Sequence, residues 1–307
     1  MTAMAATSPE QRRIGKPMPR WRKLLPNYLF LVPYFVFFFL FLAGPNVYGF
    51  YISLFNWDIL LPNKPFLGFG NYQELWLDKL WWLSLRNTVL FAALTVGGNV
   101  LLGLFASVLV KQRPPGHQIL RFLFYTPVVL SVAVMGVILA RVFNTEFGLL
   151  NYYVDMVGLP TQKWLGEQRF VIPILSLSTV WWTFGFPFLV FLAGLLNIPE
   201  PIYEAARIDG VNRLQSFTHI TLPLLKPVTL FIVVTQFIAH FKVFGQMWIM
   251  TLGGPGNSSY SVVMYLYDVG WRFFRMGYAS SLAFGLAAII LVVTLINFRF
   301  LGGRVEY

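Results

Sequence analysis

The chain has 307 residues, of which 57% are hydrophobic and only 11% charged, and its net charge is +11. This composition, with a mean hydropathy of +0.65, excludes an ordinary soluble domain. Cysteine is absent, which removes disulfides, thiol catalysis and cysteine metal sites together.

In chain order, Arg12, Arg13, Lys16, Arg20, Arg22 and Lys23 come first, just ahead of the first apolar run. Basic charge placed there holds an N-terminus in the cytoplasm, and it argues against a nucleic-acid partner. The apolar runs are about 20 residues long, enough to cross the hydrocarbon core as helices that satisfy their own backbone. Spans are predicted near 28–52, 86–110, 119–143, 170–196, 224–249 and 277–301. The first is too long for a signal-peptide core and lacks a small-residue cleavage pattern, so it stays in the membrane. The expected organisation is a basic tail at 1–27, a six-span domain at 28–301 with a loop at 197–223, and a short tail at 302–307. Both tails are expected in the cytoplasm.

The connecting segments carry their own signals. Residues 66–86 mix Trp76, Trp81 and Trp82 with Glu74, Asp78 and Lys79, which predicts an amphipathic helix lying in the membrane interface. Residues 143–165 contain Gly148, Gly158 and Pro160 and are expected to turn back along the outer surface. Residues 251–257, TLGGPGN, end any helix that reaches them. With the spans so placed, fourteen basic residues fall on the inner side and eight on the outer, which agrees with a cytoplasmic N-terminus and puts 197–223 in the cytoplasm.

Within that loop, Pro199 and Pro201 sit where a helix can begin, and Glu200 and Glu204 lie in its early turns, where acids suit the positive end of the dipole. Ala205 and Ala206 are small enough to admit another backbone. Gly210 allows a sharp turn, and a second short helix is expected from Asn212 to Ile220, stopped by Leu222-Pro223. The spacing is Glu204-Ala205-Ala206, three residues, Gly210, nine residues, Ile220, one residue, Leu222-Pro223. It resembles the cytoplasmic EAA signature of ABC importer permeases, with every fixed position filled. The outer Gly-x-x-Asn-Tyr, Phe-Gly-x-x-Asn and Thr-x-Gly-Gly-Pro stretches are similar to the carbohydrate-uptake branch, the maltose and glycerol-3-phosphate type and its first permease subunit. The resemblance covers about residues 28–301.

That resemblance implies an all-α, polytopic membrane protein of the type I ABC importer kind, with six transmembrane helices and a cytoplasmic coupling helix. It also implies that Glu204, Ala205, Ala206, Gly210, Ile220, Leu222 and Pro223 form the docking element for a separate ATPase. The implied partners are an ABC ATPase dimer, a second and distinct permease chain, an extracytoplasmic solute-binding protein and the lipid bilayer of a bacterial or archaeal inner membrane. No G-x-x-x-x-G-K-[ST] phosphate loop occurs, so ATP and magnesium are expected on the partner and no cofactor on this chain.

The predicted spans contain no Asp or Glu in their interiors, which weighs against a proton- or sodium-coupled carrier. Gln236 and His240 are four residues apart on one helix face, expected to be completed by Val243, with Lys242 pointing elsewhere. Trp181, Trp182 and Thr183 stand beside Gly185 and Pro187. In the relatives that the chain resembles, spans flanking the EAA loop contact the sugar, which implies pathway roles for Trp182, Thr183, Phe186, Gln236 and His240. A buried Gln or His equally serves to hydrogen-bond a neighbouring helix, and Asn87 and Asn99 are read as packing residues. Histidines 117, 219 and 240 show no ligand spacing, and no catalytic constellation is present. A permease subunit of a sugar importer is the resulting expectation, with a secondary carrier or a membrane scaffold as the alternatives; the identity of the cargo stays open.

Overall fold

The computed structural model describes residues 20–301, with side chains from Tyr28 to Phe300, so most of the predicted tail 1–27 and the tail 302–307 lie outside the described residues. The described residues divide into two compact units, the first ending at Tyr51 and the second beginning at Ile52.

From Arg20 the first unit is helical, with α1 (Arg20–Phe38), a π-turn at Phe39–Ala43 and α2 (Gly44–Ser53), whose last two residues belong to the second unit. Pro45 has no N–H to give, and the helix widens by one residue just before it, with Gly44 donating to Phe39. The carboxamide of Asn46 donates to the Leu42 carbonyl at 2.7 Å. Residues Tyr28–Ser53 are apolar and long enough to cross a membrane, as predicted.

The second unit opens with α3 (Gly70–Leu77) and α4 (Lys79–Lys111), the helix around which the unit is packed. Asp78 caps α4 through its carboxylate, which accepts from the N–H groups of Leu80 and Trp81. The long interfacial helix predicted over 66–86 is therefore split. Only α3 is separate, the remainder being the first turns of the span. Trp76 and Trp82 are exposed, as an interface role requires, but Trp81 is 1% exposed and belongs to the core.

Three predicted spans are bent pairs. α5 (His117–Val129) and α6 (Val132–Val142) meet at 100°. Pro127 leaves the Leu123 carbonyl without a helical donor, and Ser131 caps a new helix by accepting from Val134. After α7 (Leu149–Met156), α8 (Gln168–Thr183) and α9 (Gly185–Asn197) meet at 50°, since Pro187 cannot donate to Thr183. The loop helices α10 (Glu200–Ile208), α11 (Arg213–Ser216) and α12 (Leu222–Leu224) follow, with a π-turn at Phe217–Thr221. Residues Arg213–Leu224 then meet α13 (Lys226–Phe241) at 62°. Leu222-Pro223 thus does not stop the second loop helix as expected. The π-turn takes up the missing proline N–H, and the chain stays helical to Leu224.

The predicted fifth span is also shorter than expected. α13 ends at Phe241, and α14 (Gly245–Thr251) is a separate helix packed on α6. Val243 lies beyond α13 and does not complete a face with Gln236 and His240. α15 (Val262–Tyr267), a π-turn at Asp268–Arg272 and α16 (Met276–Leu301) complete the unit. Among the described residues there is no strand, only two isolated bridges.

The main core gathers Trp81, Phe91, Met135, Leu175, Met247, Met264 and Leu282. Two smaller clusters lie toward the loop, one around Phe188 and one around Phe191, Leu195 and Leu225. In lipid such contacts are held by close van der Waals packing rather than by escape from water. A Cβ on Gly103 would stand 2.8 Å from Pro187 Cβ and 3.0 Å from the Phe188 nitrogen, so glycine is what lets α4 lie against α9. Large apolar side chains stay exposed along α4, α5 and α16, as a lipid-facing surface requires.

Candidate coupling loop and interior polar cluster

The loop is a pair of capped short helices. Pro199 precedes α10 with an extended backbone, and Glu200 occupies its first turn. At the other end Gly210 adopts φ +77°, its N–H donating to Arg207 at 3.1 Å while Val211 donates to Ala206 at 2.9 Å. These two bonds form a Schellman closure, which satisfies the last carbonyls of α10. Asn212 and Gln215 then form a capping box, each side chain bonded to the other's backbone N–H at 2.9 and 3.0 Å. The loop is tied to its surroundings by Tyr203, whose hydroxyl lies 3.1 Å from Thr221 Oγ1 and whose ring lies under Lys111 Nζ at 4.4 Å.

α10 has two distinct faces. Ile202 and Tyr203 pack against the cluster of Leu195, Ile198 and Leu225, and Ala206, 7% exposed, turns inward toward the end of α4. Glu204 and Ala205 are exposed, so of the alanine pair only Ala205 offers a small residue to a partner; Ala206 is a packing residue. Ile220 and Pro223 are half-buried and Leu222 is at the surface. Two side chains missed at the level of sequence stand out: Ile208 and Leu214 are 87% and 72% exposed in an otherwise polar loop. Ile208 lies three residues after Ala205 and four after Glu204, which puts all of them on one helix face. That periodicity was the available signal.

At the far end of this unit, Asp78 gathers donors from several helices. Tyr278 donates to it at 2.6 Å, and Tyr265 and the N–H groups of Leu80 and Trp81 also bond to it. Burial pushes this carboxyl up, but the donors together hold it below the usual 3.8. Arg275 grips Glu74 with two hydrogen bonds, at 2.8 and 2.7 Å.

The predicted pathway residues are only partly brought together. Thr183, Gln236 and His240 meet, and Asn99 from α4 is the hub. Its amide donates to Thr183 Oγ1 at 3.0 Å and to Gln236 Oε1 at 2.9 Å. His240 Nε2 lies 2.8 Å from the same Gln236 oxygen, which assigns its proton to that nitrogen. Asn99 is fully buried, and Gln236 and His240 nearly so. The Thr183 hydroxyl donates its own hydrogen bond to the Thr179 carbonyl at 2.7 Å. Asn99, read as a packing residue, is thus the centre of a tie between α4, α8 and α13. Trp182 packs against the main core with its indole N–H buried and unbonded, and Phe186 is half-buried beyond the bend.

Bent and broken spans around a buried polar tie, joined by an exposed helix–glycine–helix loop, define an integral-membrane transport permease. Residues 99–302 match the family described as "Binding-protein-dependent transport system inner membrane component", and the chain belongs to that family as an ABC transporter permease. It is 34% identical over 290 residues to the probable ABC transporter permease protein YurN of Bacillus subtilis, covering 92% of this chain and 98% of that one. It is 31% identical over 292 residues to the sulfoquinovosyl glycerol transport system permease protein SmoG of Agrobacterium fabrum, covering 92% and 94%. A solved bacterial ABC transporter involved in the import of the acidic polysaccharide alginate shares the fold, with a TM-score of 0.79 at 21% identity over 93% of this chain and 99% of that one. The permease is a transport subunit, not an enzyme.

Proposed function

We propose that this permease forms half of the translocation pathway of a carbohydrate importer and works by alternating access. A second, distinct permease chain supplies the other half, an extracytoplasmic binding protein delivers the solute, and an ATPase dimer binds ATP and magnesium. Support for a carbohydrate cargo comes from the named cargoes of the relatives, sulfoquinovosyl glycerol and alginate among them. The six-span organisation, with the basic tail and the loop 197–223 both in the cytoplasm of a bacterial or archaeal cell, rests on the distribution of Lys and Arg.

The observation that carries the coupling role is the loop itself. Two caps and a left-handed glycine shape it locally, while Glu204, Ala205, Ile208 and Leu214 stay exposed. A rigid knob with apolar anchors is suited to a cleft on a partner. Gly210 shapes it, and Ile220, Leu222 and Pro223 join it to α13. ATP-driven closure of the partner shifts the spans only because the knob's contacts differ between the two states. Trp182, Thr183, Phe186, Gln236 and His240 flank the α8–α9 bend and its polar tie, and we assign the solute path to that region, where aromatic faces and amides suit sugar rings and hydroxyls.

The chain has no cysteine, so a single Ala205→Cys reports cleanly. The expected result is maleimide labelling from the cytoplasmic side only and a cross-link to the ATPase in the assembled importer. Labelling from outside, or an absent cross-link in an active complex, overturns the assignment.

A further inference from the structure

Between the end of α4 and the loop lies a cavity of about 620 Å³. Three cations line it, Lys111 at the last residue of α4, Arg207 on α10 and Arg213 at the start of α11, and no carboxylate does. Arg207 is already paired with Glu200 at 3.1 Å. Lys111 and Arg213 have no carboxylate partner among the described residues. The hydroxyl of Ser216 adds a donor, while Leu195 and Phe217 supply an apolar wall.

We propose that this cavity binds a phosphate ester, carried by an anionic lipid headgroup or by a soluble metabolite, with Lys111 and Arg213 as its counter-charges. A cationic pocket at the cytoplasmic edge of a bundle suits a lipid phosphate. Guanidinium and ammonium groups both take phosphate oxygens, the former as a fork. The volume is that of a small-molecule site rather than a single ion, and the apolar wall has a place for a glycerol or ester portion. One wall belongs to the spans and the other to the loop. A bound anion therefore bridges them and pins the loop against α4. The inference rests on the cytoplasmic placement of the loop given above.

The test uses the complete importer in nanodiscs of phosphatidylcholine, with or without phosphatidylglycerol. Lipid retained on the complex is counted by native mass spectrometry. The parent and a charge-keeping Lys111→Arg/Arg213→Lys variant are expected to retain phosphatidylglycerol preferentially. Lys111→Gln/Arg213→Gln is expected to lose that preference by on the order of tenfold. Glycerol 3-phosphate added to phosphatidylcholine discs identifies a soluble source if it raises the melting temperature of the parent but not of the glutamine variant. Equal lipid retention by parent and glutamine variant, with no shift by glycerol 3-phosphate, overturns the site. Binding-protein-stimulated hydrolysis in phosphatidylcholine alone is measured alongside. Its absence from the parent sinks the coupling reading and leaves the anion measurement intact.

Discussion

The backbone N–H of Val211 donates to the Ala206 carbonyl across 2.9 Å, closing the end of α10 around Gly210. No atom lies within 4 Å of the place a Gly210 Cβ would take, so Gly210→Ala meets only backbone strain, about 1–2 kcal/mol. Gly210→Pro is different in kind. Its ring forbids φ +77° and deletes the N–H that donates to Arg207. We expect Gly210→Pro to insert normally yet lose solute uptake and binding-protein-stimulated ATP hydrolysis, with Gly210→Ala within a few fold of the parent. Unimpaired uptake by the proline variant in reconstituted vesicles would count decisively against the loop's role.

The exposed and the inward surfaces of the loop predict opposite defects. Ile208→Ser and Leu214→Ser remove exposed apolar anchors, so the permease should melt as before while its affinity for the ATPase falls by roughly tenfold for each. Ile202→Ala removes a side chain packed on the cluster beneath α10 and should lower the stability of the permease itself, by about 1–3 kcal/mol. Thermal melts of the permease in detergent, set beside titrations with the ATPase, separate the two. An Ile202→Ala protein of normal stability refutes the inward assignment.

The Asn99 tie predicts coupling between helices. Asn99→Ala and Gln236→Ala each break the same hydrogen bond, so their effects on the melt should not add. An interaction energy near 1 kcal/mol is expected from the double-mutant cycle. If the solute path passes here, Gln236→Ala and His240→Ala also reduce solute-stimulated hydrolysis in the complex. Stimulation equal to the parent would restrict both residues to a structural role.

Asp78 predicts a pH dependence. Its folded carboxyl titrates below the usual 3.8, so its contribution is complete above that value and is lost as the pH falls through the lowered one. The parent should therefore be more stable than Asp78→Asn at neutral pH, and the gap should narrow as the pH falls below 3.8. Melts of the two proteins at a series of pH values provide the check. A gap independent of pH would show that the carboxylate charge contributes nothing.

Where local chemistry decides the outcome, it could be read from the chain alone. The two prolines opening α10, the turn at Gly210 and the end of α14 before Gly253 all depend on residues within a turn of one another. The bends at Pro127 and Pro187 were carried by visible prolines, yet their angles of 100° and 50° depend on what packs against the broken turn. Asn99 looked like one polar residue among many, because its partners lie 84 and 137 positions away. Ala205 and Ala206 are the same residue type, so which of the pair faces inward is decided only by how α10 docks, leaving Ala206 7% exposed.

The 50° break between α8 and α9 makes α9 a lever whose fulcrum is Thr183 to Gly185. Its 13 residues form a rod ~20 Å long that ends at the loop, so a swing of ~10° at the fulcrum carries Pro199 by ~3 Å. Thr183 bonds Asn99 at that pivot, so a swing of α9 has to strain or break the amide contact there as well as slide α9 over α4.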